Sequence, residues 1–394
     1  MTIAAVGYAA EARRIEEDIA RAGGAAAFDP PTDAERVTRY LYGLYQRASI
    51  SGDPAALGAV EHAIDRAIAL VAHPGDLYFL KASLAFKLHR LDDVEAALAA
   101  LPSAAGNGET RLIRADLDFQ HGRYREAEAG YHESLHAERS WGALARLAHF
   151  AGKMGDPSAA DGLYEEAQDE LTAKELRSFV WVEVQRGFLD FCRGRLDNAH
   201  AHYRRADAAY PGYWLVEEHI AELLAAEGRF SEAIAIFERL ATAVARPDLD
   251  QAIGELYRLA GQAESAQRWA QKALAAYLRS AQHGEVHYYH HLADYYAEVE
   301  EDGARAVEWA QKDLQLRENF STQAALARAL FRAGRLDEAR GWIDRALSSG
   351  IVDPRILRQA GMIYAATGNK SEGRNFDKQA RRLNPMVDRF HLHH

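Results

Sequence analysis

The chain has 394 residues, a formal net charge of −11 and one cysteine. Mixed charge with that balance argues against a nucleic-acid partner, whose phosphates need a concentrated basic face. A lone cysteine excludes an internal disulfide and a thiolate metal cluster, and no run approaches the roughly 18 apolar residues that a membrane span needs. Charged residues make up 27% of the chain, with few prolines and no β-branched clusters bounded by turns, which favours helices over strands.

The N-terminus, Met1 to Ala10 followed by Glu11-Ala12-Arg13-Arg14, has no basic start and no sustained apolar core. It is not read as a secretory signal, and a cytoplasmic location is expected. Residues 8–22 read as a short helix with Ile15 and Ile19 at helical spacing. Gly23-Gly24 ends it, Asp29-Pro30-Pro31 makes a stiff break, and Thr32 or Asp33 is placed to cap the next helix. Residues 34–71 then form a helix pair, with Leu41 and Leu44 facing Val60 and Ile64. Residues 75–101 form a second pair, and Ser103-Ala104-Ala105-Gly106-Asn107-Gly108 is a loop.

Further pairs are punctuated by one recurring hinge: Gly122-Arg123-Tyr124-Arg125-Glu126-Ala127, Gly194-Arg195-Leu196-Asp197-Asn198-Ala199, Gly228-Arg229-Phe230-Ser231-Glu232-Ala233 and Gly334-Arg335-Leu336-Asp337-Glu338-Ala339. Glycine suits the left-handed position that ends a helix. The acids after it suit the positive end of the next helix, and alanine lets two helices approach closely. Equivalent positions fall at Gly52, His89, Gly122, Gly155, Gly194, Gly228, Gly261, Glu301, Gly334 and Gly368. Helix A of pair five is expected over Trp181 to Arg193. The second helix of pair seven runs on through Ala276-Tyr277-Leu278, and Asn384-Pro385 ends the last helix. The tail Arg389 to His394 is expected to be unstructured.

Hinge spacings of 33 or 34 residues are those of a helix-turn-helix repeat. The chain resembles the tetratricopeptide repeat family in the pieces Ile253-Gly254-Glu255-Leu256-Tyr257 and Gly361-Met362-Ile363-Tyr364, and in the series Ala199, Tyr203, Ala206 and Pro211. The expected fold is all-α, a right-handed α-solenoid of about ten tetratricopeptide-like hairpins. Residues 1–33 are an N-terminal segment with a capping helix, residues 34–388 the solenoid and residues 389–394 a His-rich tail. A single pair cannot bury its apolar face alone, so the core should be continuous.

The resemblance implies that the first helix of each pair lines a concave groove. On that register the groove receives Trp181, Val184, Phe188 and Phe191 from pair five, Glu218 and Glu222 from pair six, and Glu255 with Arg258 from pair seven. Pair eight adds Tyr288, His291 and Tyr295, and pair nine Arg328. The aromatics would anchor an apolar side chain of a peptide. The acidic stretch Glu218, Glu222, Glu255 and Glu298, succeeded by Arg328, Arg355 and Arg358, would orient it. The competing readings are ordinary packing for the aromatics and a solvated surface for the charges. The family's chaperone-tail grip pairs Lys with Asn at positions five and nine. Glu218 with Glu222 and His291 with Tyr295 stand there instead, so that use is not expected.

The chain is expected to act without catalysis and without a cofactor, as a scaffold or adaptor for a protein or peptide segment, and as a monomer or weak homodimer. No nucleic acid or membrane partner is expected. The alternative from another class is metal binding by the crowded His283, His287, His290 and His291; His287 and His291 share a helix face, but no third ligand is identifiable. Cys192 beside Arg193 and Arg195, with His149 at a distance, is read as a small structural thiol rather than a nucleophile.

Overall fold

A computed structural model describes residues 7–29, 33–71, 74–101 and 108–392; the cap Thr32 and the predicted loop up to Asn107 lie outside them, while Gly108, expected in that loop, starts a helix. Among the described residues there are 21 α-helices, one 3₁₀ turn and no strand. Helix α1 (Tyr8–Arg21) and the turn Gly24–Phe28 precede ten helix hairpins. Hairpins one to four are α2 (Ala34–Ser51) with α3 (Pro54–Leu70), α4 (Gly75–Lys87) with α5 (Leu91–Ala99), α6 (Gly108–Gln120) with α7 (Tyr124–Ala137), and α8 (Trp141–Lys153) with α9 (Pro157–Asp169). Hairpins five to seven are α10 (Leu176–Phe191) with α11 (Leu196–Ala209), α12 (Trp214–Ala226) with α13 (Phe230–Ala243), and α14 (Pro247–Leu259) with α15 (Ala263–Gln282). Hairpins eight to ten are α16 (Tyr289–Glu298) with α17 (Gly303–Leu316), α18 (Phe320–Arg332) with α19 (Leu336–Ser348), and α20 (Pro354–Ala366) with α21 (Lys370–Leu383).

The hinge sequence works through its backbone. All ten expected hinge positions are left-handed, including the two without glycine, His89 (φ 59°) and Glu301 (φ 53°). In eight hinges the amide after the hinge residue donates to the carbonyl five residues earlier; Arg123 to Asp118 (2.8 Å) and Arg335 to Leu330 (2.9 Å) are examples. The hinge amide itself closes the inner bond, as from Gly122 to Phe119 at 3.1 Å. Two such bonds around a left-handed residue satisfy carbonyls that the ending helix would otherwise orphan. The next helix starts without a side-chain cap at Arg123, Arg195, Arg229 and Arg335. At two of these the arginine turns to the glutamate of the first turn, Arg229 to Glu232 at 2.7 Å and Arg335 to Glu338 at 2.6 Å. Several first helices carry a true cap, including Asp33, Ser140, Asn319 and Asp353. Five places after their hinges, Ala127, Ala199, Ala233 and Ala339 are fully buried where the two helices close.

Successive turns of the solenoid touch. His89 of hairpin two meets His290 of hairpin eight, ring to ring at 5.8 Å. In hairpin three, Tyr124 Oη accepts from the Phe320 amide (2.8 Å), Gln120 accepts from Asn319 Nδ2 (3.0 Å), and Phe119 packs on Phe320, all from hairpin nine. In hairpin four, Lys153 O accepts from the Val352 amide (3.0 Å) at the mouth of hairpin ten. The offset is six hairpins in each case. Trp214 Nε1 donates to Ile50 O (2.7 Å) and pins hairpin one. These contacts divide the hinge glycines. A Cβ on Gly122 would lie 2.6 Å from Glu318 O, and one on Gly155 would lie 2.7 Å from Val352. Gly228, Gly261, Gly334 and Gly368 face open space. Helix α1 closes the N-terminal end: Ile15 and Ile19 are buried against α2, and Tyr8 stacks on Tyr213 at 5.7 Å.

Candidate functional site

Winding that brings turn onto turn leaves a lumen of about 1030 Å³, walled mainly by the first helices of the hairpins. Of the residues expected to face the groove, Phe188, Glu255, Arg258, Tyr295 and Arg328 line it. The others lie within the wall. Trp181 packs on Trp141 at 6.2 Å, and Val184 is fully buried with Val180 and Val216. Phe191 is buried with Ala199 and Tyr203, Tyr288 packs on Tyr277, and His291 stacks on the Tyr277 ring at 5.5 Å. Helix α10 starts at Leu176, five residues before the expected Trp181, so a face counted from Trp181 falls partly in the packing interface.

Most of the expected acidic end, though not Glu255, is neutralised inside the protein. Glu218 is fully buried and accepts from Arg246 at 2.8 Å. Arg246 also pairs with Asp248 and lies over Trp214, so one guanidinium serves two buried carboxylates. Burial pushes the Glu218 carboxyl up against the pull of Arg246. Glu298 pairs with Arg332, and Arg328 pairs with Asp294. Eight basic and seven acidic side chains line the lumen, so it does not share the acidic excess of the whole chain. Arg355 differs from its neighbours. Its guanidinium has no carboxylate within 4.0 Å among the described residues, and its Nη1 is buried without a hydrogen-bond partner. Burial and the nearby Arg328 both pull its pKa down.

The tail is ordered as far as Leu392, contrary to the sequence expectation, and it enters the lumen. After α21, Asn384 and Pro385 lie against the Gly194 hinge, and Asp388 is held by Arg358 (3.0 Å) and Arg381 (2.8 Å). Phe390 is 6% exposed, in a cluster with Leu224, Leu249 and Ile253. The His391 ring lies 5.7 Å from Phe188 and 4.9 Å from Phe191. Its Nδ1 is 3.1 Å from Glu222 Oε1, and its Nε2 is 3.6 Å from Cys192 Sγ. The Leu392 amide donates to Glu222 Oε1 at 2.6 Å. The apolar residues Met386, Val387, Phe390 and Leu392 beyond the helix-ending Asn384-Pro385 were the sequence signal for this docking.

Cysteine, histidine and glutamate in a row resemble a nucleophile with its base, but the electrostatics oppose that use. Burial pushes the Cys192 thiol up to about 12, and the residue caps the C-terminal, negative end of α10. It is a thiol at neutral pH, activated by neither Arg193 nor Arg195. His149 also lines the lumen, edge-on to Phe119 at 5.8 Å, and burial holds it down to about 3.

The crowded histidines do come together: His290 and His291 lie 4.0 Å apart by ring centroid, and His89 joins them from the first turn. Among the described residues no group of three or more His, Cys, Asp or Glu is placed to hold a metal ion. Nor is any helix among them long and apolar enough to cross a membrane.

No protein-family model and no curated protein matches the chain. Among solved structures it is similar to a chain of the APC/C hetero-tetramer Cut9-Hcn1, at 15% identity and a TM-score of 0.47, covering 98% of this chain and 76% of that one. It is similar to a tetratricopeptide repeat protein from Parabacteroides merdae ATCC 43184, at 15% identity and a TM-score of 0.37, covering 64% and 99%. A third likeness is to the human IFIT1 dimer with PPP-AAAA, at 14% identity and a TM-score of 0.43, covering 94% of each chain. Likenesses this distant say nothing of what the chain binds.

Proposed function

Starting from a tetratricopeptide-like solenoid wound around an accessible lumen, we propose that the protein is a non-catalytic scaffold or adaptor that binds a segment of another protein there, as a monomer or weak homodimer. The observation that carries this reading is the lumen wall. Phe188 offers aromatic surface, Glu255 and Arg258 offer charges that are not consumed by short ion pairs, and Arg355 offers a positive charge without a carboxylate partner among the described residues. A partly desolvated guanidinium gains most when a ligand carboxylate pairs with it. The segment is therefore expected to carry an acidic side chain opposite α20 and an apolar one opposite α10. Metal binding gains no support, because these histidines are committed to ring packing, His89 with His290 between turns and His291 with His290 and Tyr277 within one.

Selection from a random-peptide display library on the intact protein tests this reading. It should yield a consensus containing an acidic residue. Arg355→Glu with Arg258→Glu should weaken binding of that consensus at least roughly tenfold, the size of one charge-assisted hydrogen bond. Arg268→Glu on the outer face should leave it unchanged. A consensus indifferent to both lumen substitutions would place binding elsewhere.

A further inference from the structure

We infer that the part of the lumen between hairpins five and seven is a receptor for a short aromatic–histidine–aliphatic segment, occupied in cis by the chain's own Phe390-His391-Leu392, and that a partner segment of the same chemistry displaces it. The inference rests on the adaptor reading and names the kind of segment. At Gly122 and Gly155 the overlying turn supplies a loop that continues into another helix of the repeat. At Gly194 it supplies Asn384-Pro385, and the described residues beyond that point form the tail rather than a helix. Among the described residues the tail thus begins where an eleventh hairpin would stand and adds no helix there.

Its contacts are those of a bound peptide. An aromatic side chain fills an apolar hole between α12 and α14, an imidazole is held between two phenylalanines, and a main-chain amide is bonded to a side chain of the wall. Glu222 sets the chemistry. It is fully buried, and a buried carboxylate must be met by donors or charges. The Leu392 amide and the His391 ring meet it from the tail, while His219 Nδ1 lies 3.5 Å away in the wall. A replacement segment must bring N–H groups to the same carboxylate, which selects an imidazole next to a main-chain amide and disfavours an acidic residue at that place. The stretch leading in is fastened by Asp388 to two partly exposed arginines, a fastening that solvent screens. The tail can therefore leave without unwinding a hairpin.

Cys192 is the only cysteine in the chain and lies partly exposed in contact with His391, so its reactivity reports on the tail. The first measurement uses the intact protein. A thiol-reactive disulfide reagent should modify Cys192 through a local opening, at a rate much less sensitive to low urea than global unfolding is. Modification that tracks global unfolding would overturn the inference. The second uses a labelled synthetic peptide of residues 386–394, added to the chain ended at Asn384 or, should that chain not fold, to the full chain with Phe390→Ala. Saturable binding is expected, with Cys192 protection restored and affinity at least roughly tenfold tighter than for the intact chain, where the tethered tail competes at an effective concentration near the millimolar range. A peptide with Phe390→Ala and His391→Ala should not bind. A folded receptor that ignores the native peptide overturns the inference, as does a concentration-dependent dimer exchanging tails, which would remove the occupant in cis. A lumen-dependent library consensus unlike the tail would leave the adaptor reading standing while this one falls.

Discussion

A residue with a Cβ in the left-handed region carries a strain of about 1–2 kcal/mol relative to glycine, and two hinges bear it. Glu301 is exposed at φ 53°, so Glu301→Gly should raise stability by about 1 kcal/mol in urea denaturation. His89→Gly should gain less, because the imidazole also packs on His290. Gly334 and Gly122 form a matched pair: both are left-handed at φ 72°, but only Gly122 lies under a second-turn carbonyl. Gly334→Ala should cost about 1 kcal/mol, the backbone term alone, and Gly122→Ala clearly more, because the rigid Glu318 carbonyl must move. Equal losses in the two variants would show that the turns do not press on each other. Every hinge was legible because a left-handed residue is a local demand that the chain meets mostly with glycine. Which glycines lie beneath another turn was not legible, because the atoms concerned are about two hundred residues away in sequence.

The hinge between α4 and α5 meets helix α16 through histidines whose state decides how well they pack. Burial holds His89, His287 and His291 below their usual value of 6.5. Arg317 and the other histidines add to this at His89, while Glu285 and Asp248 oppose it at His287 and Asp248 and Asp294 oppose it at His291. A histidine with a depressed folded pKa takes its proton more readily when unfolded. Its contribution is therefore complete above the unfolded value and is lost as pH falls from about 6.5 toward the folded one. Stability measured by urea titration should decline across that window, and His89→Asn with His287→Asn should flatten the decline. A profile unchanged by the two substitutions would mean that other groups govern acid sensitivity. At this scale the sequence was legible in part. Helix pairs could be read from periodicity, but the groove face could not. A first helix counted from Trp181 instead of Leu176 turns Val184 outward on paper, while the structure buries it.

The molecule as a whole is a coil whose turns are fastened. Phe320 is 3% exposed and sits between Phe119 and Tyr124 of the turn beneath. Phe320→Ala should cost about 3 kcal/mol, and small-angle scattering should show a larger radius of gyration at unchanged helicity. An unchanged radius would mean that the remaining fastenings hold the coil alone. A helical-repeat array is ordinarily open-ended, because each unit touches only its neighbours. Here hairpins two, three and four are each keyed to the unit six places later. Adding or deleting one repeat inside that interval would misalign every key together, so this array cannot be lengthened or shortened there one unit at a time, as a modular scaffold can.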